Sequence, residues 1–124
     1  EGAEQAERGV AEALALAQAH GRMVMVYFHS EHCPYCQQMN TFVLSDPGVS
    51  RLLEARFVVA SVSVDTPEGQ ELARRYRVPG TPTFVFLVPK AGAWEEVGRL
   101  FGSRPRAEFL KELRQVCVKG GACG

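Results

Sequence analysis

The chain has 124 residues, 46% of them hydrophobic, and its 14 basic and 14 acidic side chains cancel. This length suits one domain over residues 1–124, able to bury a core without disulfide staples. The charges are scattered, with no basic stripe for nucleic acid or an anionic surface, and no apolar run nears the ~20 residues that span a bilayer. A soluble monomer is expected, with no nucleic-acid binding and no membrane insertion.

Residues 3–19 are rich in Ala and Glu, and Val10, Leu14 and Ala17 fall at helical spacing, which predicts an amphipathic helix ending near Gly21. Met23 to His29 is an almost unbroken apolar run, as expected of a central strand covered on both faces. Pro34 to Leu44 reads as a helix, with Met39, Phe42 and Val43 as core residues and a proline early enough to cost no hydrogen bond. Asp46 caps and Pro47 opens a short helix carrying Val49, Leu52 and Leu53. Phe57 to Val64 reads as a second strand, and Thr66-Pro67 repeats the cap-and-proline signal for a helix to Tyr76. Thr83 to Val88 is a third strand, and a turn at Lys90-Ala91-Gly92 returns the chain as an edge strand, Trp94 to Leu100. A closing helix from Ser103 to Val116 buries Phe109, Leu110 and Leu113, and Gly120-Gly121 leaves 118–124 as a short tail. Phe28, Phe84, Phe86 and Trp94 read as core or half-buried sheet residues.

This order predicts a parallel strand pair followed by an antiparallel pair: an α/β sheet of four or five strands with helices on both faces. In such sheets sites form at the C-terminal strand ends, and Cys33-Pro34-Tyr35-Cys36 follows the first central strand there. Two cysteines three apart at the head of a helix lie on one side of its first turn, where their sulfurs can join and part. The unpaired N–H groups and dipole of that turn favour a thiolate on the first sulfur, the form that attacks disulfides. A second pair, Cys117 and Cys123, leaves no cysteine over. With a start at Glu1 and neither Met nor leader, this predicts a mature exported form in an oxidising compartment, periplasmic or otherwise extracytoplasmic; the cytoplasm is the alternative, since the first pair could equally serve there.

The strand and Cys33-Pro34-Tyr35-Cys36, followed by Val78-Pro79-Gly80-Thr81-Pro82-Thr83 ahead of an apolar strand, resemble the thioredoxin-like superfamily over residues 3–117. Within it, Phe28 to Cys36 and Leu44-Ser45-Asp46-Pro47 are similar to small periplasmic thioredoxin-like proteins encoded with bacterial sulfur-oxidation systems, and periplasmic reductases that maintain other proteins' thiols have similar segments. The resemblance implies a thioredoxin fold and a thiol:disulfide oxidoreductase without a bound cofactor. It implies that Cys33 attacks, that Cys36 resolves the mixed disulfide, and that Pro82 is a cis-proline facing both. The Thr81 backbone would then pair with an extended substrate peptide, while Pro34 and Tyr35 would tune the redox balance and touch substrate. Gly102 resembles a glycine that lets a partner backbone approach, and reads equally well as a turn. The implied partners are a disulfide-bearing exported protein and an upstream reductase, since no nicotinamide or flavin site is visible. Two departures stand out: the buried acid of thioredoxins is Tyr27 here, and its companion lysine is Ser61. Proton handling then falls to water, His32 or Glu31.

His32 directly precedes Cys33 and would stabilise its thiolate if protonated; it reads otherwise as a solvated loop histidine. His29, His32, Cys33 and Cys36 match no standard zinc spacing, and no metal is expected. Pro-Tyr also separates glutaredoxin cysteines, but no Gly-Gly-Asp-Asp-like glutathione segment follows Val88. Protein disulfides are thus the expected substrate, at a potential of about −200 to −230 mV, above that of thioredoxin. Cys117 and Cys123 read as a small structural disulfide, or as a second dithiol relaying electrons to or from Cys33 and Cys36. Reduction of an exported partner is the favoured direction and net oxidation its alternative. The rivals are a peptide-binding or chaperone-type module on the same fold and, more distantly, a metal carrier.

Overall fold

The computed structural model describes residues 2–123, with side chains from Gly9 onward. Helix α1 (Gly2–His20) turns Val10, Ala13, Leu14 and Ala17 inward. Gly21 follows at φ 65°, which lets the Arg22 N–H donate back to the Ala17 carbonyl at 2.8 Å and stops the helix. Strand β1 (Met23–His29) leads to α2 (Pro34–Gln38), which continues as a π-helical turn, Met39–Val43, closed by the Leu44 N–H on the Met39 carbonyl at 2.7 Å. Then come α3 (Pro47–Arg56), β2 (Phe57–Ser63), α4 (Pro67–Arg75), β3 (Thr83–Lys90), β4 (Ala93–Phe101) and α5 (Arg106–Lys119).

The strands lie in the order β2-β1-β3-β4. β1 runs parallel to β2, with Tyr27 opposite Ser61, and the other two pairings are antiparallel. This is the mixed α/β sheet expected, with four strands among the described residues. Alternation along β1 sends Met23, Met25 and Tyr27 to one core with Met39, Val49, Phe84 and Phe109. Val24, Val26 and Phe28 go to the other, with Leu14, Ala17, Val62 and Leu72. Helices α3 and α5 and the π turn therefore cover one face, and α1 and α4 cover the other.

Local chemistry fixes the helix starts. The Asp46 carboxylate accepts the Gly48 and Val49 N–H groups, and Thr66 Oγ1 accepts that of Gly69 at 3.0 Å, each ahead of a proline in the first turn. A Cβ on Gly69 would collide with the Ser63 carbonyl, so α4 approaches the end of β2 closely. Ala91 (φ 47°) and Gly92 (φ 83°) join β3 to β4, the positive pair that a tight hairpin turn needs.

Two expectations are corrected. The stretch 34–44 is not one α-helix: the wider π turn rotates the helix face, so Met39 and Val43 are buried while Phe42 is 68% exposed. The closing helix starts at Arg106, because Pro105 occupies its N-cap, and it runs on to Lys119. After α5 the Ala122 and Cys123 N–H groups both donate to the Cys117 carbonyl and turn the chain back on the helix end.

Candidate active site

β1 ends at His29, and Ser30, Glu31 and His32 lead to Cys33, the N-cap of α2. Cys33 and Cys36 are joined as a disulfide with their Cα atoms 5.2 Å apart. Cys33 Sγ accepts the Cys36 N–H at 3.1 Å, doing with sulfur what a Ser or Asp oxygen does at other caps, and so sits at the positive end of the helix. Cys33 is 8% exposed and Cys36 is 0%, so the first sulfur is the reachable one. Pro34 and Tyr35 are exposed beside it.

The loop before β3 faces the disulfide. Its Thr81–Pro82 peptide bond is cis, Pro82 is buried, and the Thr81 carbonyl oxygen lies 3.4 Å from Cys33 Sγ. The Pro82 carbonyl accepts the Gly102 N–H at 2.9 Å, and a Cβ on Gly102 (φ 93°) would meet nothing, so the glycine turns the chain there in open space. Cys33, Cys36, Thr81 and Pro82 thus come together from two separate stretches of sequence.

A third stretch, overlooked in the sequence, joins them. Asp65, just beyond β2, accepts the Ser30 hydroxyl at 2.6 Å and the Glu31 N–H at 2.8 Å. These hydrogen bonds, the Ser30 one foremost, hold its carboxyl below the usual carboxylate range. Burial pushes the His29 imidazole down, and the Asp65 charge opposes that shift. Glu31 and His32 are exposed. The signal for Asp65 lay in topology: parallel strands with His29 opposite Ser63 release their following loops side by side.

Tyr27 donates its hydroxyl to Asn40 Oδ1 at 2.9 Å and stacks on Phe84, with ring centroids 4.9 Å apart. It is 5% exposed, and burial raises its pKa above the ordinary 10.0. Its register partner Ser61 is exposed. Cys117 and Cys123 form a second disulfide, Cα atoms again 5.2 Å apart, with Cys117 wholly buried. The loop between them packs at the other pole of the sheet, where Gly120 abuts Met23 at the start of β1 and Val88 near the end of β3. Of the surface grooves, one of about 740 Å³ lies between α1, α4 and the β3–β4 hairpin and shares no residue with the disulfide site. A second, about 510 Å³, runs beside α2 and is lined by Gln38, Met39, Phe42, Arg104 and Pro105 among others.

Residues 10–117 match the sequence model of a family described as thioredoxin-like domain. Curated relatives include the thiol:disulfide interchange protein DsbD of Pseudomonas fluorescens, 31% identical over 84% of this chain, and DsbD 2 of Pseudomonas aeruginosa, 32% identical over 86%. The chain spans only 18% of the length of either. Among solved structures it is similar to a thioredoxin from Thermus thermophilus, 99% identical with a TM-score of 0.83, over 92% of this chain and 88% of that one. It also shares the fold of the oxidised C-terminal domain of Neisseria meningitidis DsbD, with a TM-score of 0.70 at 23% identity over 90% of this chain and 94% of that one. With a closed C-x-x-C disulfide at the head of α2 and a family match across most of its length, the chain belongs to the thioredoxin-like family of thiol:disulfide oxidoreductases.

Proposed function

We propose that this oxidoreductase reduces disulfides of partner proteins, with Cys33 as the attacking and Cys36 as the resolving sulfur. The observation that carries this reading is the setting of Cys33: it caps α2 through the Cys36 N–H, and its sulfur stands 3.4 Å from the Thr81 carbonyl. In the reduced protein the Cys33 thiolate attacks one sulfur of a substrate disulfide. A Cys33–substrate bond forms, the substrate S–S bond breaks, and the first substrate thiolate leaves. Cys36 then gives up its proton and attacks Cys33 Sγ, which closes the Cys33–Cys36 disulfide and expels the second substrate thiolate. Two electrons pass from the dithiol to the substrate, and a protein dithiol donor must return them. Run backwards, the same steps oxidise a partner.

The Thr81 backbone beside Cys33 offers an extended substrate segment a place to pair, with Pro34 and Tyr35 exposed next to Cys33 and His32 and Glu31 modulating the first sulfur. We place the protein outside the reducing cytosol, because its second cysteine pair is closed as well. Among the described residues no helix is long and apolar enough to cross a membrane. The likeness of Phe28 to Cys36 to the sulfur-oxidation proteins favours an exported protein as the substrate.

Insulin reduction tests the reading. Turnover by the wild type that disappears in Cys33→Ser is the expected result, with Cys36→Ser accumulating a mixed disulfide whose partner can be identified. Client binding without any exchange would favour the peptide-binding module instead.

A further inference from the structure

We propose that Asp65 is a positioning residue for the exchange reaction: its carboxylate clamps residues 30–32, the segment that delivers Cys33, onto the end of the neighbouring strand. The proposal rests on the reading of Cys33 as the attacking sulfur. The last backbone link between the parallel strands is the Val64 N–H on the His29 carbonyl at 2.9 Å. Beyond it the two chains separate, and side chains take over. One carboxylate oxygen takes the Ser30 hydroxyl at 2.6 Å and the other the Glu31 N–H at 2.8 Å. Ser30 Oγ in turn accepts the His32 N–H at 3.2 Å, so three consecutive residues hang on one side chain. Asp65 is itself held, its N–H donating to Ser63 Oγ at 3.2 Å. On the far side the Gln37 amide donates to the Glu31 carbonyl at 3.3 Å and ties the same segment to α2. The mechanical path from β2 to the helix that carries both cysteines is continuous.

In the reduced protein the Cys33 thiolate keeps its charge-assisted hydrogen bond from the Cys36 N–H only while the segment before it stays in place. Freed, the segment exchanges that bond for water, and the thiolate loses stability. Charge alone acts in the opposite sense, because a carboxylate near a thiolate repels it. The sign of the effect therefore separates a clamp from a bare charge. The titratable groups on the elements that meet at Cys33 are Glu31 and His32 on its own segment, Tyr27 and His29 on β1, Tyr35 and, in the reduced protein, the Cys36 thiol in α2, and Asp65 beyond β2. Loop residues 79–82 contribute none, and Arg104 and Arg106 lie beyond Gly102.

The test follows the pH dependence of Cys33 alkylation in the reduced full chain, together with the equilibrium against glutathione, for wild type, Asp65→Asn and Ser30→Ala. Asp65→Asn is expected to raise the alkylation midpoint and to shift the glutathione equilibrium about fivefold towards the disulfide form. Ser30→Ala keeps the charge, removes one tie and moves both in the same direction by less. A merely structural role would lower the melting temperature and leave the midpoint where it is. A midpoint unmoved in both variants, or lowered in Asp65→Asn, overturns the proposal. Exchange that persists in Cys33→Ser overturns instead the reading on which it rests.

Discussion

Replacing both Cys117 and Cys123 by alanine separates a structural staple from an electron relay. The disulfide joins residues six apart, and the chain-entropy relation for so short a loop gives about 2 kcal/mol of stabilisation. For a domain of this size that corresponds to a fall of roughly 8 °C in melting temperature. The wholly buried Cys117 adds to the loss, because alanine leaves its sulfur's place in the core unfilled. Geometry sets the functional half of the expectation. Gly120 abuts Met23 at the start of β1, whereas Cys33 follows the other end of that strand, and seven residues of strand rise about 20 Å. Sulfurs at opposite poles of the sheet cannot exchange within one molecule. The assays are thermal melting without reductant and insulin reduction well below the transition. The double variant should melt lower and turn over insulin like the wild type. Lost turnover in a variant that still folds would refute the polar separation, and an unchanged melting temperature would refute the staple.

Gly69→Ala forces a Cβ into the Ser63 carbonyl and should cost roughly 2 kcal/mol in denaturant unfolding, since backbone rather than a pliable side chain must move. His29 has its pKa lowered by burial, so the folded state resists protonation, and its contribution is complete above the ordinary 6.5 and lost as pH falls below that value. Unfolding measured across that window should show His29→Gln losing less stability than the wild type on acidification; parallel curves would contradict this. Tyr27→Phe removes the hydrogen bond to Asn40 at a cost of about 1 kcal/mol, and should leave the pH profile of exchange unaltered between about pH 6 and 9.

Much of the fold was legible because its signals are local. Asp46-Pro47 and Thr66-Pro67 declare helix starts with three residues of context, and Gly21 a helix end, since capping chemistry involves only near neighbours. The apolar run from Met23 to Phe28 likewise needs nothing distant to read as a central strand. Phe42 was misplaced for a physical reason: over eleven residues a helical period cannot be told from one interrupted by a π turn, and that turn decides which residue faces out. Pro82 was expected to be cis through resemblance alone, because nothing in its own residues requires it. Asp65 escaped because its donors Ser30 and Glu31 lie more than thirty residues away and are brought to it only by the parallel register of β1 and β2.

The neutral pair Tyr27 and Asn40 bears on how the proposed reaction proceeds. Cys36 is wholly buried and must lose a proton before it can displace the mixed disulfide. At the position where the resemblance to thioredoxins implies an acid, the phenol keeps its proton, since burial lifts its pKa above the ordinary 10.0 and its hydroxyl is committed to Asn40. On the proposed mechanism the proton of Cys36 then passes to hydroxide. The two halves of the reaction should part in their pH dependence. Attack by Cys33, capped and at the helix N-terminus, levels off once its thiolate is fully formed. Resolution by Cys36 goes on accelerating, about tenfold per pH unit, until that thiol itself ionises. The mixed disulfide therefore accumulates at the acid end of the range, where the first step still runs and the second has slowed.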